Sequence, residues 1–78
     1  MPRPPRFTPH AIGRLAERGI RRRWVRALLS TQPLRMPGSQ VHSLTAAQLS
    51  GRFGGAFERG LRAVVVGDRV VTVHWTAS

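Results

Sequence analysis

Apolar positions along the chain follow a helical period near its start and a period of two near its end. Thr8 is placed to cap a helix N-terminus, with Pro9 at the first helical position, where its missing N–H costs nothing. From there Ala11, Ile12, Leu15 and Ala16 share one apolar arc at the 3.6-residue period. His10, Arg14, Glu17 and Arg18 fall on the opposite arc, and Arg21 extends that stripe past the helix end. Gly19 predicts a left-handed stop that brings Ile20 onto Leu15, the hydrophobic contact of a Schellman cap. A second helix is predicted from about Arg22 to Ser30, burying Trp24, Val25, Leu28 and Leu29. Pro33 closes it, because a residue before proline avoids helical geometry.

The middle of the chain is less regular. "PLRMPGS" reads as a loop, and "QVHSL" as a short strand in which Val41 and Leu44 cannot share a face. "TAAQLSGRFGGAFERG" is compatible with a wide hairpin loop, a bulged strand or a segment helical at its start. The final third is clearer. "LRAVVV", "GD" and "RVVTVHW" predict a β-hairpin whose two-residue turn begins with glycine. A regular ladder places Val66 opposite Arg69 and Leu61 opposite His74. Val64, Val66, Val71, Val73 and Trp75 then share the face expected to receive the helices. Leu61, Ala63, Val65, Val70, Thr72 and His74 line the other, and a one-residue slip would exchange the two. The expected architecture is α+β, with two N-terminal helices packed on one face of a small, mostly antiparallel sheet. Residues 1–6, "MPRPPR", read as a flexible basic arm, and residues 7–78 as a single domain.

Composition adds a strong bias to this frame. The 78 residues carry 13 cationic side chains, every one an arginine, against 3 acidic ones, for a net charge of +10. Arginine's fork of donors matches phosphate oxygens and stacks on bases, so the balance predicts a polyanionic partner, either nucleic acid or an acidic protein. A GC-rich genome would favour arginine over lysine but would not remove the acids. With no cysteine and 3 histidines, neither a disulfide framework nor a structural metal site is expected. No apolar run is long enough to span a bilayer and no signal-peptide pattern is present, so the expected compartment is cytosolic. A domain delivered into a target cell by a larger toxin would look the same.

"FTPHAIGRLAERGI", "VRALLSTQPLR" and "LRAVVVGDRVVTVHW" together resemble a bacterial family catalogued as a domain of unknown function, number forty-two fifty-eight. The shared pattern is an aromatic residue or serine, a His-Ala pair, an arginine four residues after the histidine, "RGI" closing the helix, and a terminal valine-rich hairpin with a threonine near its end. That family is similar to the RelE/ParE-type toxins and to barnase-, EndoU- and colicin-like ribonucleases. The resemblance implies N-terminal helices against a curved sheet, metal-independent cleavage of RNA (tRNA or ribosome-bound mRNA), no cofactor, and an acidic antitoxin or immunity protein as partner. Two departures stand out. His74 replaces the tyrosine or other aromatic expected in the last strand, and "SGRFGG" lengthens the usual connection.

Cleaving RNA without a metal requires a base for the 2′-hydroxyl, cations for the phosphorane and an acid for the departing 5′-oxygen. His10 and Arg14, one helical turn apart, are the candidate catalytic pair. His74 and Thr72 are the candidates from the sheet. Arg18, Arg52, Arg59, Arg62 and His42 are candidate RNA and phosphate contacts. For each there is a plain structural alternative: Arg14 paired with Glu17, Arg18 complementing the helix dipole, His42 and His74 as ordinary strand residues. Trp24 is expected in the core, with base stacking as its other reading. Two further functions compete with a ribonuclease toxin, namely a non-catalytic nucleic-acid-binding module and a ParE-like toxin directed at a protein. Convergence of His10, Arg14 and His74 on one cleft would favour the nuclease.

Overall fold

Thr8 accepts a hydrogen bond from the Ala11 amide at 3.1 Å and starts the first helix, α1 (Pro9–Arg18), in a computed structural model that describes residues 5–76. Gly19, at φ 65°, ends it: the Ile20 amide returns to the Leu15 carbonyl at 2.9 Å and that of Gly19 to Ala16 at 3.3 Å. This is the Schellman pattern, and Ile20 is buried as it requires. The buried line of α1 differs from the predicted arc. Ala11 and Leu15 face the core, whereas Ile12 and Ala16 are exposed. Arg18 turns toward the protein, because seven residues make nearly two full turns and place it above Ala11.

The second helix, α2 (Arg22–Leu29), buries Val25 and Leu28, with Trp24 and Leu29 half-buried beside them. The stretch expected to be a loop is a hairpin instead. Strand β2 (Leu34–Met36) and strand β3 (Ser39–Leu44) pair antiparallel around Pro37 and Gly38, and Gly38 takes a left-handed φ of 76°. All of β2 is exposed, so no apolar alternation announced it. The illegible segment begins as a helix, α3 (Ala46–Phe53), set by a capping box between Thr45 and Gln48. The structure thus has a third helix, between strands, in addition to the two expected at the N-terminus.

Strands β4 (Leu61–Val66) and β5 (Arg69–Trp75) form the predicted hairpin around Gly67 and Asp68. A short strand, β1 (Arg6–Phe7), lies parallel to β5, so the sheet runs β1-β5-β4-β3-β2 and is otherwise antiparallel. The expected arm, residues 1–6, therefore lies outside the described residues only up to Pro4, and Arg6 belongs to the sheet. Thr8 binds this edge as well, its amide and hydroxyl both donating to the Val70 carbonyl at 3.3 Å.

One irregularity decides which side of the sheet is inside. Val64 pairs with Thr72 but Val65 pairs with Val70, leaving Val71 as an extra residue in β5. The bulge moves Leu61 opposite Trp75, rather than His74. Val73 and Trp75 keep their expected place toward the helices and Thr72 and His74 theirs on the other side, but Val64 and Val66 exchange faces with Leu61, Ala63, Val65 and Val70. Leu61, Ala63, Val65, Val70 and Val73 face the helices, with Trp75 packed beside them. Val64, Val66, Thr72 and His74 share the other, open face with Arg62. Leu15, Val25, Leu28 and Leu49 complete one continuous core, in which each large side chain contributes about 1.5–3 kcal/mol by leaving water. At the entry to β4 the backbones close up. A Cβ on Gly60 would run into the Leu44 carbonyl, and the Gly60 carbonyl accepts from the Thr76 amide at 2.8 Å.

Candidate anion-binding site

Among the described residues, the outer edge of β5 has no strand beside it beyond its two pairs with β1. Arg18, in the last turn of α1, closes it: its Nη1 donates to the Val73 carbonyl at 2.7 Å. In return the Trp75 Nε1–H donates to the Arg18 carbonyl at 2.8 Å, satisfying an acceptor left over at the helix C-terminus. These reciprocal bonds fix the Arg18 guanidinium on the carbonyl of Val73, the residue before His74, with donors to spare and near enough for its charge to act on that ring. Arg62 stands directly across the ladder from His74 and is exposed on the same face. Thr72 lies two residues before His74, half-buried.

His74 is therefore an imidazole between two permanent cations. Partial burial holds its pKa below the ordinary 6.5, and the positive charges of Arg62 and then Arg18 push it further in the same direction. It is neutral at physiological pH, with a lone pair to accept a proton. An anion seated between the guanidiniums would offset their repulsion of the imidazolium and raise that pKa. The geometry thus joins fixed positive charge to a titratable base on an open sheet surface.

The remaining candidates are dispersed. His10 is exposed on the first turn of α1, with no hydrogen bond or ion pair from its side chain among the described residues. Arg14 is paired with Glu17 at 2.8 Å. No hydrogen bond or ion pair among the described residues links His10 or Arg14 to His74. His42 is 5% exposed on the core face, and its Nδ1 lies 3.0 Å from the Thr31 carbonyl, which can only accept. The ring must then carry its proton on Nδ1, tying β3 to the end of α2, and it has no path to a surface phosphate. Arg52 is exposed on α3, and Arg59 is exposed in the glycine-rich segment. The cluster that forms is Arg18, Arg62 and His74. Trp75 was expected on the helix-covered face, but its bond to the Arg18 carbonyl depends on where α1 ends over β5, for which the sequence carries no local signal. The seven-residue spacing of Ala11 and Arg18 was the available signal for the inward arginine.

Among the described residues no group of three or more His, Asp or Glu side chains could hold a metal ion. Nor, among them, is any helix long and apolar enough to cross a membrane. No family model matches the chain, and neither does any curated protein or solved structure.

Proposed function

We propose that this chain binds RNA, seating a backbone phosphate between Arg18 and Arg62 with His74 beside it. The observation that carries the reading is geometric: Arg62 lies directly across the ladder from His74, and Arg18 is anchored on the carbonyl of Val73, the residue before it. Holding like charges together costs free energy in the empty protein, and a phosphodiester reverses that cost. The net charge of +10 adds long-range attraction.

A second reading, metal-independent cleavage of that RNA, is favoured by the neutral state of His74. His74 would take the 2′-hydroxyl proton while Arg18 and Arg62 balance charge on the phosphorane. The imidazolium so formed is the acid then available to the departing 5′-oxygen. His10 is exposed with no partner among the described residues, so this reading rests on His74 alone and binding is placed first. The resemblance to RelE/ParE-type and barnase-like toxins supports the cleavage reading, and an acidic antitoxin or immunity protein would then cover the same arginines.

Titration of a short single-stranded RNA, followed by fluorescence anisotropy at several salt concentrations, tests both. Arg62→Gln should weaken binding by roughly tenfold and lower the slope of log affinity against log salt by about one. Unchanged affinity and slope in Arg62→Gln and Arg18→Gln would refute the site. Cyclic-phosphate ends, formed in the presence of EDTA and lost in His74→Asn but not in His10→Ala, would establish cleavage.

A further inference from the structure

Where β4 begins and β5 ends, the segment from Gly54 to Arg59 crosses the end of the sheet over an open cavity of about 510 Å³. Its walls are aromatic. Trp24 of α2, Trp75 of β5 and Phe57 of the crossing segment all line it. The Trp24 ring meets Phe57 edge-on at 5.0 Å and Trp75 at 5.9 Å between centroids. Gly54 and Gly55, at φ 75° and 80°, form one rim. Glu58 and Arg59 supply its charge, and the Arg21 guanidinium lies 5.9 Å from the centre of the Trp24 ring.

The two indoles differ in their hydrogen bonding. Trp75 spends its N–H on the Arg18 carbonyl. Trp24 Nε1 is buried without any hydrogen-bond partner, alone in this among side-chain nitrogens and oxygens of the described residues. A buried donor with no acceptor is uncommon in folded proteins. With no accessible surface, that atom is closed to an occupant of the cavity, and the aromatic faces and charged rim decide what enters. A nucleobase suits both, since it offers a flat ring to the aromatic walls and donors and acceptors at its edge. Glu58 can accept from the base's own N–H groups, and Arg59 can meet a flanking phosphate. The volume falls within the range of small-ligand pockets, roughly 300–1,000 Å³.

We infer that this cavity is a nucleobase pocket, taking one unpaired base of the bound RNA. The inference rests on the RNA-binding reading and extends it: Trp75 directly follows His74 but faces the helix side, so the bound strand would pass round the edge of β5 to reach both sites. Bases held in a duplex cannot enter, and the chain should therefore prefer single strands.

The test follows the indole N–H resonances of the isotope-labelled protein during titration with a short oligouridylate. A ribose-phosphate strand of the same length that lacks bases is the comparison. Oligouridylate should shift the Trp24 N–H strongly and the Trp75 N–H less, while the base-free strand leaves Trp24 in place. Trp24→Phe should cost roughly tenfold in affinity for oligouridylate and abolish its advantage over the base-free strand. Equal binding of both strands with an unmoved Trp24 resonance would overturn the pocket while leaving the phosphate site standing. A protein that binds neither strand loses both proposals. The wild-type resonance decides the matter even where Trp24→Phe fails to fold.

Discussion

His42 and His74 stand on opposite faces of one sheet, on strands separated only by β4. His42 looks into the core, gives its proton to a backbone carbonyl and joins an element to its neighbour. His74 looks outward, half-exposed, with two guanidiniums for company. Both strands are short runs of β-branched and polar residues, and neither histidine is distinguished by its immediate neighbours. The difference lies in what each face is packed against. A face covered by helices converts a polar side chain into a structural tie, whereas a bare face leaves its charges unneutralised and available to a ligand.

Truncations should separate the two faces most widely. Leu61→Ala, at a fully buried position, is expected to destabilise by roughly 2–5 kcal/mol. Val66→Thr, on the open face, should stay within about 0.5 kcal/mol. Urea unfolding of both variants measures this, and similar losses would mean that the open face is packed in solution.

The histidines divide the same way. His42→Ala should cost about 1–3 kcal/mol by stripping a buried carbonyl of its donor, with little change in RNA affinity at a temperature where the variant is folded. His74→Asn should leave stability near pH 7.5 almost unchanged and alter its pH dependence. Because folding lowers the His74 pKa, its neutral form is favoured in the native state. That contribution is fully present above the unfolded pKa of about 6.5 and is lost as pH falls through the lower folded value. Thermal scans should therefore show wild type losing more stability on acidification than His74→Asn. Affinity for RNA should move oppositely, tightening as pH falls, because the phosphate favours the imidazolium. A wild-type affinity that is flat with pH would separate His74 from the ligand.

The smallest effects are expected on α1. Arg14 already has Glu17, and His10 has open solvent, so Arg14→Gln and His10→Ala should change RNA affinity by less than about twofold. A larger loss in either would draw the interface round to the outer side of that helix and erase the contrast with Arg18, on the same helix but turned to the sheet.

Several elements were readable in advance because their signals are local. The Thr8–Pro9 start, the Gly19 stop and the Gly67 turn each depend on a few adjacent residues and on backbone preferences that hold in any fold. Strand β3 was expected, but its partner β2 was missed because β2 is exposed throughout and carries no alternation. Helix α3 was only one of three readings, since glycine and phenylalanine around it dilute a sound capping box. At the site, Arg18, Arg62 and His74 were all recognised as candidates for phosphate chemistry, but they were grouped with the wrong partners. The pair His10 and Arg14 shares a helix turn, and sharing a turn says nothing about which way that turn faces.

The order of amino acids by itself determined a basic α+β protein with a capped first helix and a valine hairpin, since helix ends, turns and charge balance follow from near neighbours and simple sums. Only the tertiary structure decided which side of β4 is covered. One additional residue at Val71 lets Leu61, Ala63 and Val65 turn inward together with Val73 and Trp75, which a regular ladder sets on opposite faces. Its place is chosen by the competition of whole faces for burial, to which residues from Ala11 to Val73 all contribute. The phosphate cluster and the aromatic cavity both inherit that choice.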